Sequence, residues 1–588
     1  MTSFDEFVRK FLDDLFRLDP VGATAAGVHD HDGRWPDLSE PGRLEALSVF
    51  AQWEATFEAL DETALTADQR IDRDRILAEL ASLRHALAEA RDETWDPLTW
   101  IYVLGSGLFD LLAREFAPVP VRVASLTERI AGIPAVLEAA SAVIGSWPER
   151  PVSRLHTERA LKDLGGIREL IADAIALAGP GAEAGLDDVG PARVRLTAAA
   201  ELAGAALSGF EGHMRDKVLP RAEGEGRLGR ERFAAKLASA LGDPDLTVDR
   251  VLGAAERQLP AVRAEMARLA RAMWPTARPG EPEPEDPDAL TRDMLDNIGR
   301  DHSAADELLQ EARDALVRIE AFCRDRDVIG LAEEPLEIEW TPLFLRGWAQ
   351  AMLNSPGPFE AGEKAYFHIT PVPAEWSDDA RDSYLREMNR HQLEVLTIHE
   401  AVPGHYLQGV YGNRVRSPLR AALGHGAYAE GWAVYVTQVM IDLGYGADDP
   451  ALALAHWKYY LRAIINTIID IRIHTCEMTE ADALDLMIRV GFQEDAEARA
   501  KYSRARLTST QLCTYFVGSL GMWELEHEVR LRAAALDGGD SAVAMVPTPE
   551  LLGGYPATPG FDYRAHLESV ISHGPLPSPL LRRAILGK

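Results

Sequence analysis

The sequence predicts an almost wholly helical protein, on three observations. Apolar residues recur at three- and four-residue steps along most of the 588 residues, which is the period of a helix with one buried face. Alternation typical of strands is confined to two short segments. Hydrophobic residues make up 47% of the chain and charged residues 26%, a globular composition with enough apolar side chains for a sizeable core.

The helical pattern begins at the N-terminus, where Phe4, Val8 and Phe11 share one face. Similar patterns recur in residues 41–90, 121–178, 191–219, 230–274 and 301–328. A stretch rich in glycine and proline interrupts them at 179–191.

Residues 275–289 hold five prolines among acidic residues. Proline removes backbone donors and stiffens an extended chain, so this stretch predicts an exposed linker. We therefore divide the chain into an N-terminal helical region, the linker and a second helical region: residues 1–274, 275–289 and 290–588.

Two segments predict short strands. Residues 335–340 alternate apolar and polar side chains, and residues 365–370 do the same. Both lie shortly before the motif that carries the candidate chemistry. One interpretation is a small structural hairpin, and the other is a sheet edge that an extended peptide joins as a further strand.

Charge and cysteine content limit the partners. The chain has 93 acidic and 61 basic residues and a formal charge of −32, which disfavours nucleic acid and anionic membranes as partners.

Three scattered cysteines indicate a reducing compartment. The N-terminus does not have the pattern of a signal peptide, and no apolar run is long enough for a bilayer. We therefore expect a cytoplasmic protein.

Residues 393–408 carry the candidate chemistry. A hydrolytic zinc site needs about three protein ligands, an open position for water and a carboxylate that takes a proton from that water. His399 and His405 are the candidate ligands, and Glu400 is the candidate base.

The histidines lie six residues apart, which turns them away from each other in a regular helix. Pro403 and Gly404 predict a kink or bulge that brings them together; the alternative is a buried His–Glu pair with a helix-capping histidine.

Glu430 is the candidate third ligand. It follows His405 by twenty-five residues and lies among Tyr428, Trp432 and Tyr435. A carboxylate among aromatic side chains is costly to bury unless it is paired or bound to a metal. The alternative is a glutamate on a helix surface.

These motifs resemble a known family. The sequences HEAVPGH (399–405) and YAEGWAVY (428–435) closely resemble the bacterial family named domain of unknown function 885. That family is similar to the Taq-type metallocarboxypeptidases and, more distantly, to the neurolysin group of gluzincin peptidases. The segments 19–39 and 565–581 are similar to its opening and closing signatures. The resemblance implies a mainly helical metallopeptidase-like fold with a deep cleft, and a small sheet near a zinc site whose third ligand is a glutamate.

The resemblance also singles out residues nearer the C-terminus. Asp470 and His474 match an Asp-x-x-x-His element of the family, and their spacing puts them on one helix face. Arg504, Gln511 and Tyr515 match an Arg…Gln-x-x-x-Tyr element. Family members usually have Pro-Gly before that glutamine, and this chain has Ser509-Thr510, so the turn that directs the Gln511 side chain departs from the family pattern.

Physical roles can be assigned to these five residues. Peptide hydrolysis builds negative charge on the carbonyl oxygen, and Tyr515 and His474 are the candidate donors to it. Arg504, with Gln511, could bind substrate and hold its carboxylate. Asp470 could orient a ligand histidine. For each of the five, a structural hydrogen bond is the alternative.

The sequence thus predicts a zinc metallopeptidase, a hydrolase of carboxypeptidase-like type. Zn²⁺ is its cofactor, a peptide its substrate and Glu400 the general base on the zinc-bound water. Two alternatives stay open. One is a zinc amidase that acts on a small peptide-like substrate, and the other is a metal-free helical binding protein.

Overall fold

The computed structural model describes residues 3–179, 189–342, 345–346, 349–360, 362–536 and 561–587. These residues form 24 α-helices and one sheet of three strands, so the prediction of a mainly helical protein with a small sheet is confirmed. Most of the predicted interruption at 179–191 lies outside the described residues. Among the described helices, none combines the length and the apolar character that crossing a membrane requires.

The chain divides into two compact units. The first comprises Met1–Gly226, Leu343–Leu345 and Pro356–Glu363. Within it, α7 packs along α9 and α6 along α8. Its helices are α1 (Phe4–Leu18), α2 (Pro20–Ala26), α3 (Glu40–Glu58), α4 (Ala67–His85), α5 (Asp92–Trp95), α6 (Leu98–Ala113), α7 (Val119–Val143), α8 (Arg154–Leu177) and α9 (Val189–His213).

The second unit comprises Arg227–Pro342, Arg346–Ser355 and Lys364–Lys588. Its first helices are α10 (Arg230–Leu241), α11 (Val248–Ala277), α12 (Pro287–Gly299), α13 (Leu308–Asp325), α14 (Asp378–Glu387), α15 (Arg390–Glu400), α16 (His405–Asn413) and α17 (Pro418–Ala422). The later ones are α18 (Gly426–Asp442), α19 (Pro450–His474), α20 (Glu480–Asp485), α21 (Asp495–Leu507), α22 (Cys513–Leu536), α23 (Tyr563–Ser572) and α24 (Ser578–Leu586).

Helix α19 is the centre of the second unit. Asp449 caps its first turn by accepting from the backbone N–H of Ala451, and Pro450 occupies its first position. Its apolar residues are buried on every side, as expected of a helix enclosed by others. It contacts α11, α15, α21 and α22, and these neighbours bring the candidate site residues around it.

The sheet packs against α15, the helix that carries His399. Its strands are β1 (Leu336–Trp340), β2 (Ala351–Asn354) and β3 (Ala365–Ile369), in the order β1-β3-β2. The buried Phe367 joins a core cluster with Leu393 and Leu396 of α15. Two strands are confirmed, but the hairpin is wrong: β1 pairs with β3 in parallel, and β2, which was not predicted, pairs with β3 antiparallel.

The predicted linker, residues 275–289, lies within the second unit. Its first residues form the last turn of α11, and its last residues form the first turn of α12. Residues 279–283 between the two helices are exposed. The described part of the chain divides instead next to Gly226 and around the segments at 343–345 and 356–363.

Candidate metal centre

The two histidines lie on either side of a break between α15 and α16. Helix α15 ends at Glu400 and α16 begins at His405. Gly404 donates its backbone N–H to the carbonyl oxygen of Ile398 at 3.0 Å, and a Cβ at Gly404 would lie 1.8 Å from the carbonyl oxygen of His399. No residue with a side chain fits there. The break predicted from the proline-glycine pair is present, and it leaves the two imidazole centroids 4.8 Å apart.

The loop in this break is held by helix α18. The buried Trp432 donates its Nε1–H to the carbonyl oxygen of Pro403 at 2.9 Å. The peptide bond between Val402 and Pro403 is cis. Because Trp432 follows Glu430 by two residues, the same helix holds the histidine loop and supplies the glutamate.

Glu430 completes a group of three possible ligands. Its Oε2 lies 3.7 Å from Nε2 of His399 and 3.4 Å from Nε2 of His405. One ligand atom from each residue can be chosen so that all lie within 4.8 Å of one another. Helix α18 begins one turn earlier, where the Tyr428 backbone N–H donates to Nδ1 of His425 at 3.2 Å. In the part of the chain that the structure describes, no second group of this kind is present.

The three side chains fit a zinc ion in donor type, and the separations of the Glu430 carboxylate from the two imidazoles fit one as well. A tetrahedral zinc ion with bonds of about 2.0–2.1 Å separates its donors by about 3.3–3.4 Å. The distances of 3.4 and 3.7 Å from the Glu430 carboxylate to the two imidazoles lie close to that value. Two imidazoles and one carboxylate are the protein ligands of a hydrolytic zinc site, which keeps its fourth position open.

The electrostatics of these three side chains favour an ionised Glu430 beside positively charged groups. Burial opposes the charged form of Glu430, but His399 and His405 hold the pKa of that carboxyl well below its usual range. Burial also opposes a charge on His405, but Glu430 and then Glu400 raise the pKa of His405 to about 9. A divalent cation would displace that proton, because a ligand imidazole must be neutral.

Gln408 orients one of the two imidazoles. Its Oε1 lies 3.4 Å from Nδ1 of His405, and its amide donates to the carbonyl oxygen of Tyr428 at 3.3 Å. A proton on Nδ1 leaves Nε2 of His405 as the ligand atom that faces Glu430. The buried Nδ1 of His399 has no hydrogen-bond partner among the described residues.

Glu400, the predicted base, lies beside this group. It is the last residue of α15 and is 7% exposed. Its charge contributes to the raised pKa of His405, where burial acts in the opposite direction, and to the raised pKa of Tyr459, where burial is the largest cause. A carboxylate next to both a ligand and an aromatic hydroxyl is well placed to exchange a proton with a substrate there.

Tyr515, Gln511 and Arg504 form a chain of hydrogen bonds that reaches the group. Arg504 donates to Oε1 of Gln511 at 3.1 Å, and Nε2 of Gln511 donates to the Tyr515 hydroxyl at 3.2 Å. Burial, together with the nearby charge of Glu430, raises the pKa of Tyr515 to about 12. The structure thus brings Tyr515 next to a candidate ligand, with Gln511 and Arg504 behind it.

The structure places Asp470 and His474 under the turn that precedes Gln511. The backbone N–H of Thr510 donates to Oδ1 of Asp470 at 3.2 Å. Nε2 of His474 lies 2.7 Å from the carbonyl oxygen of Ala505. Among the described residues, the hydrogen-bond partners of Asp470 include neither candidate ligand histidine. These contacts favour the structural alternative for both residues, and a catalytic His474 stays a prediction.

Thr510 has an unusual backbone conformation. Its φ is +69°, in the left-handed region that glycine adopts freely and that a β-branched residue rarely adopts. The turn therefore forms here without the family's Pro-Gly, at a cost of about 1–3 kcal/mol in backbone strain. The bond to Asp470 offsets part of that cost, and the turn still directs Gln511 at Tyr515.

Tyr459 is a site residue that the sequence did not reveal. Its ring lies edge-on to His399 with centroids 5.4 Å apart, and the guanidinium of Arg462 lies 5.7 Å from its centroid. An aromatic residue in an apolar helix is usually part of the core, so the sequence alone does not single out Tyr459. The signal was a polar stripe at helical spacing along α19, made up of Tyr459, Arg462, Asn466 and Asp470.

Comparisons with known proteins are consistent with this architecture. The solved structure of a candidate lipoprotein of unknown function from Shewanella oneidensis is 29% identical with a TM-score of 0.80, and the match covers 100% of both chains. A candidate lipoprotein from Colwellia psychrerythraea is 15% identical with a TM-score of 0.80 over 100% of this chain and 99% of that one, which shows a shared fold. No curated protein matches the chain. A family model described as "Bacterial protein of unknown function (DUF885)" matches residues 20–585, and the chain therefore belongs to that family.

Proposed function

We propose that this protein is a zinc-dependent peptide hydrolase of carboxypeptidase type. The observation that supports the proposal is the convergence of His399, His405 and Glu430 on one point, with the buried Glu400 beside it. Zinc bound there would supply a Lewis acid that polarises the substrate carbonyl and lowers the pKa of water.

Glu400 acts as the general base and acid. It accepts a proton from the water whose oxygen attacks the carbonyl carbon, and it returns that proton to the amine nitrogen as the C–N bond breaks. Its place at the end of α15, adjacent to His399, keeps the carboxylate within one residue of a candidate ligand. Its low exposure limits competing exchange with bulk water.

Tyr515 stabilises the carbonyl oxygen as negative charge develops on it. Burial and nearby Glu430 keep this phenol protonated at neutral pH, because they raise its pKa to about 12. Its oxygen accepts a hydrogen bond from Gln511, so the phenolic proton is free to point at a substrate. Gln511 and Arg504 serve in substrate binding, and Arg504 presents a forked cationic donor.

The decisive test for this function is Glu400→Gln. The substitution keeps size and hydrogen bonding but removes the base. We expect the variant to keep its fold and its zinc content, and to lose at least a hundredfold in peptide turnover. Glu394→Gln is the matched control, since it makes the same change on the same helix at a residue paired with Arg318. Turnover by Glu400→Gln at the wild-type rate would refute the mechanism.

Profiling with a mixed peptide library and mass detection separates the alternatives. Cleavage at C-terminal bonds supports a carboxypeptidase. Cleavage of only small peptide-like amides indicates the amidase. A folded chain that binds no zinc and cleaves nothing indicates a helical binding protein.

We also propose that the protein acts in the cytoplasm, on a peptide substrate and not on nucleic acid or membranes. Cys323, Cys476 and Cys513 are unpaired, as expected in a reducing compartment. Two similar proteins of known structure are described as candidate lipoproteins, which makes the cell envelope the competing location. Fractionation of cells that express the native gene distinguishes the two, and recovery with the membrane fraction contradicts the proposal.

A further inference from the structure

A partly buried charge cluster lies between α19 and α21, behind the two tyrosines of the candidate site. Lys458 and Arg462 are one helical turn apart on α19. Glu497, Lys501 and Arg504 lie on one face of α21, at steps of four and three residues. Together with Glu387 at the end of α14, the cluster comprises Glu387, Lys458, Arg462, Glu497, Lys501 and Arg504.

Two of the four cations in this cluster are matched by its two carboxylates. Nζ of Lys458 lies 2.7 Å from Oε2 of Glu387. Nη1 of Arg462 lies 2.9 Å from Oε1 of Glu497. Arg462 also lies 3.6 Å from Oε1 of Glu387, so these two cations share the two carboxylates. Lys501 and Arg504 are left over.

The remaining two cations form no ion pair within the described chain. Lys501 is 7% exposed, yet no hydrogen bond or ion pair of its ammonium is found among the described residues. Arg504 donates to the neutral amide of Gln511, and within the described chain no carboxylate lies in ion-pair contact with it. Buried lysines are normally paired, because an unpaired charge is costly to bury. Burial and then Arg462 lower the pKa of Lys501 well below its usual range, and the nearby Glu497 and Glu387 offset this only in part, so an added anion would be favourable here.

The cluster adjoins the candidate metal centre through two contacts. Arg504 reaches Tyr515 through Gln511. Arg462 lies over the ring of Tyr459, which lies edge-on to His399. An anion held by Lys501 and Arg504 would therefore lie close to a peptide bound at the candidate ligands.

We propose that Lys501 and Arg504 form a carboxylate subsite, and that the substrate is a short peptide whose C-terminal carboxylate binds there. This inference rests on the proposed function and adds to it the substrate class and Lys501 as a specificity residue. A guanidinium and an ammonium offer a carboxylate charge-assisted hydrogen bonds from two directions. The scissile bond is then the one near that carboxylate.

The test uses two mixed tetrapeptide libraries of the same sequences, one with free C-terminal carboxylates and one with C-terminal amides. We expect the zinc-loaded wild type to cleave the free acids at least tenfold faster than the amides. In Lys501→Met, that ratio should fall towards one, while Lys501→Arg should retain most of it. Lys364→Met, which changes an exposed lysine paired with Glu337, should keep the wild-type ratio.

Each outcome has one meaning. Equal cleavage of both libraries by the wild type, or an unchanged ratio in a folded Lys501→Met variant, overturns the subsite while leaving the peptidase intact. Cleavage of neither library by zinc-loaded protein contradicts the proposed function itself. A third outcome is that peptide amides are cleaved only when they contain aspartate or glutamate, and that this cleavage depends on Lys501. The subsite would then bind an acidic side chain, which overturns its assignment to the C-terminal carboxylate. If Lys501→Met does not fold, the wild-type ratio decides.

Discussion

A Cβ on Gly431 would lie 2.3 Å from the carbonyl carbon of Gly518, so helices α18 and α22 touch backbone to backbone where they cross. Gly431 directly follows Glu430, and Tyr515 lies one turn before Gly518. The crossing therefore sets the distance between a candidate ligand and a candidate donor. Two glycines are needed here because no side chain fits, and neither has a positive φ.

Gly431→Ala should separate these helices. We expect a loss of about 1–3 kcal/mol in the free energy of unfolding, with weaker zinc binding because Glu430 moves. Gly209→Ala on α9 is the control, since a Cβ there meets nothing within 4 Å. The control should gain up to about 1 kcal/mol from helix propensity. Thermal unfolding and zinc titration check both. An unaffected Gly431→Ala variant would mean that the crossing tolerates separation.

Thr510→Gly should stabilise the protein, because it relieves the strain of a threonine at φ +69°. Relief of about 1–3 kcal/mol, less about 0.5–1 kcal/mol for the flexibility of glycine, leaves a gain of about 1 kcal/mol. Thr508→Gly is the control, because Thr508 has an ordinary extended conformation and should lose stability. Unfolding midpoints of the two variants should move in opposite directions; movement in the same direction contradicts the account of this turn.

Tyr515→Phe should impair turnover without loss of zinc. Removal of one donor to a developing oxyanion costs about 10²–10³ in kcat, and the phenol is not among the candidate ligands. Tyr411→Phe, which removes a hydroxyl bonded to the Gly330 carbonyl oxygen, is the control and should keep the wild-type rate. Steady-state kinetics with a cleaved library peptide measures both. A Tyr515→Phe variant with unchanged kcat would exclude this residue from catalysis.

The free energy of unfolding should decrease as the pH falls below neutral, because buried histidines stay neutral in the folded protein. Burial lowers the pKa of His456 from 6.5 to about 3. Its contribution to stability is therefore complete above pH 6.5, and it is lost as the pH falls from 6.5 towards 3, because only the unfolded chain takes up the proton. The expected loss is about 1.4 kcal/mol per pH unit in this window.

His456→Gln should make that pH dependence shallower, because glutamine keeps a neutral polar side chain beside Gln438, the present neighbour of Nε2. Unfolding midpoints at pH 7.5, 6 and 5 measure the slope. His31→Gln, which makes the same change at a half-buried histidine, is the control. Parallel slopes for wild type and His456→Gln would contradict a buried neutral His456.

Local signals in the sequence were enough for much of this fold. The helices, the strands at Leu336–Trp340 and Ala365–Ile369, and the break next to Gly404 all follow from periodicity or from backbone chemistry. Strand β2 was missed because its four residues are too few for alternation to be visible. The parallel pairing of β1 with β3 depends on how the chain between them crosses, which no local pattern records.

The candidate site likewise has features that local sequence signals reveal and features that depend on tertiary packing. The convergence of His399, His405 and Glu430 could be anticipated because the helix break and the acidic residue in an aromatic helix are both visible in the sequence. The place of Tyr459 beside His399 could not, because it arises from the packing of α15 on α19. The contacts of Asp470 with Thr510 likewise join segments forty residues apart.

The central claim is that three side chains hold one zinc ion, and zinc content per chain tests it most directly. After purification and dialysis, elemental analysis of the wild type should find about one zinc per chain. His399→Ala and Glu430→Ala should each lose most of it while the helical circular dichroism signal is retained. A wild type that cannot take up zinc, or either variant with a full equivalent, would contradict the account.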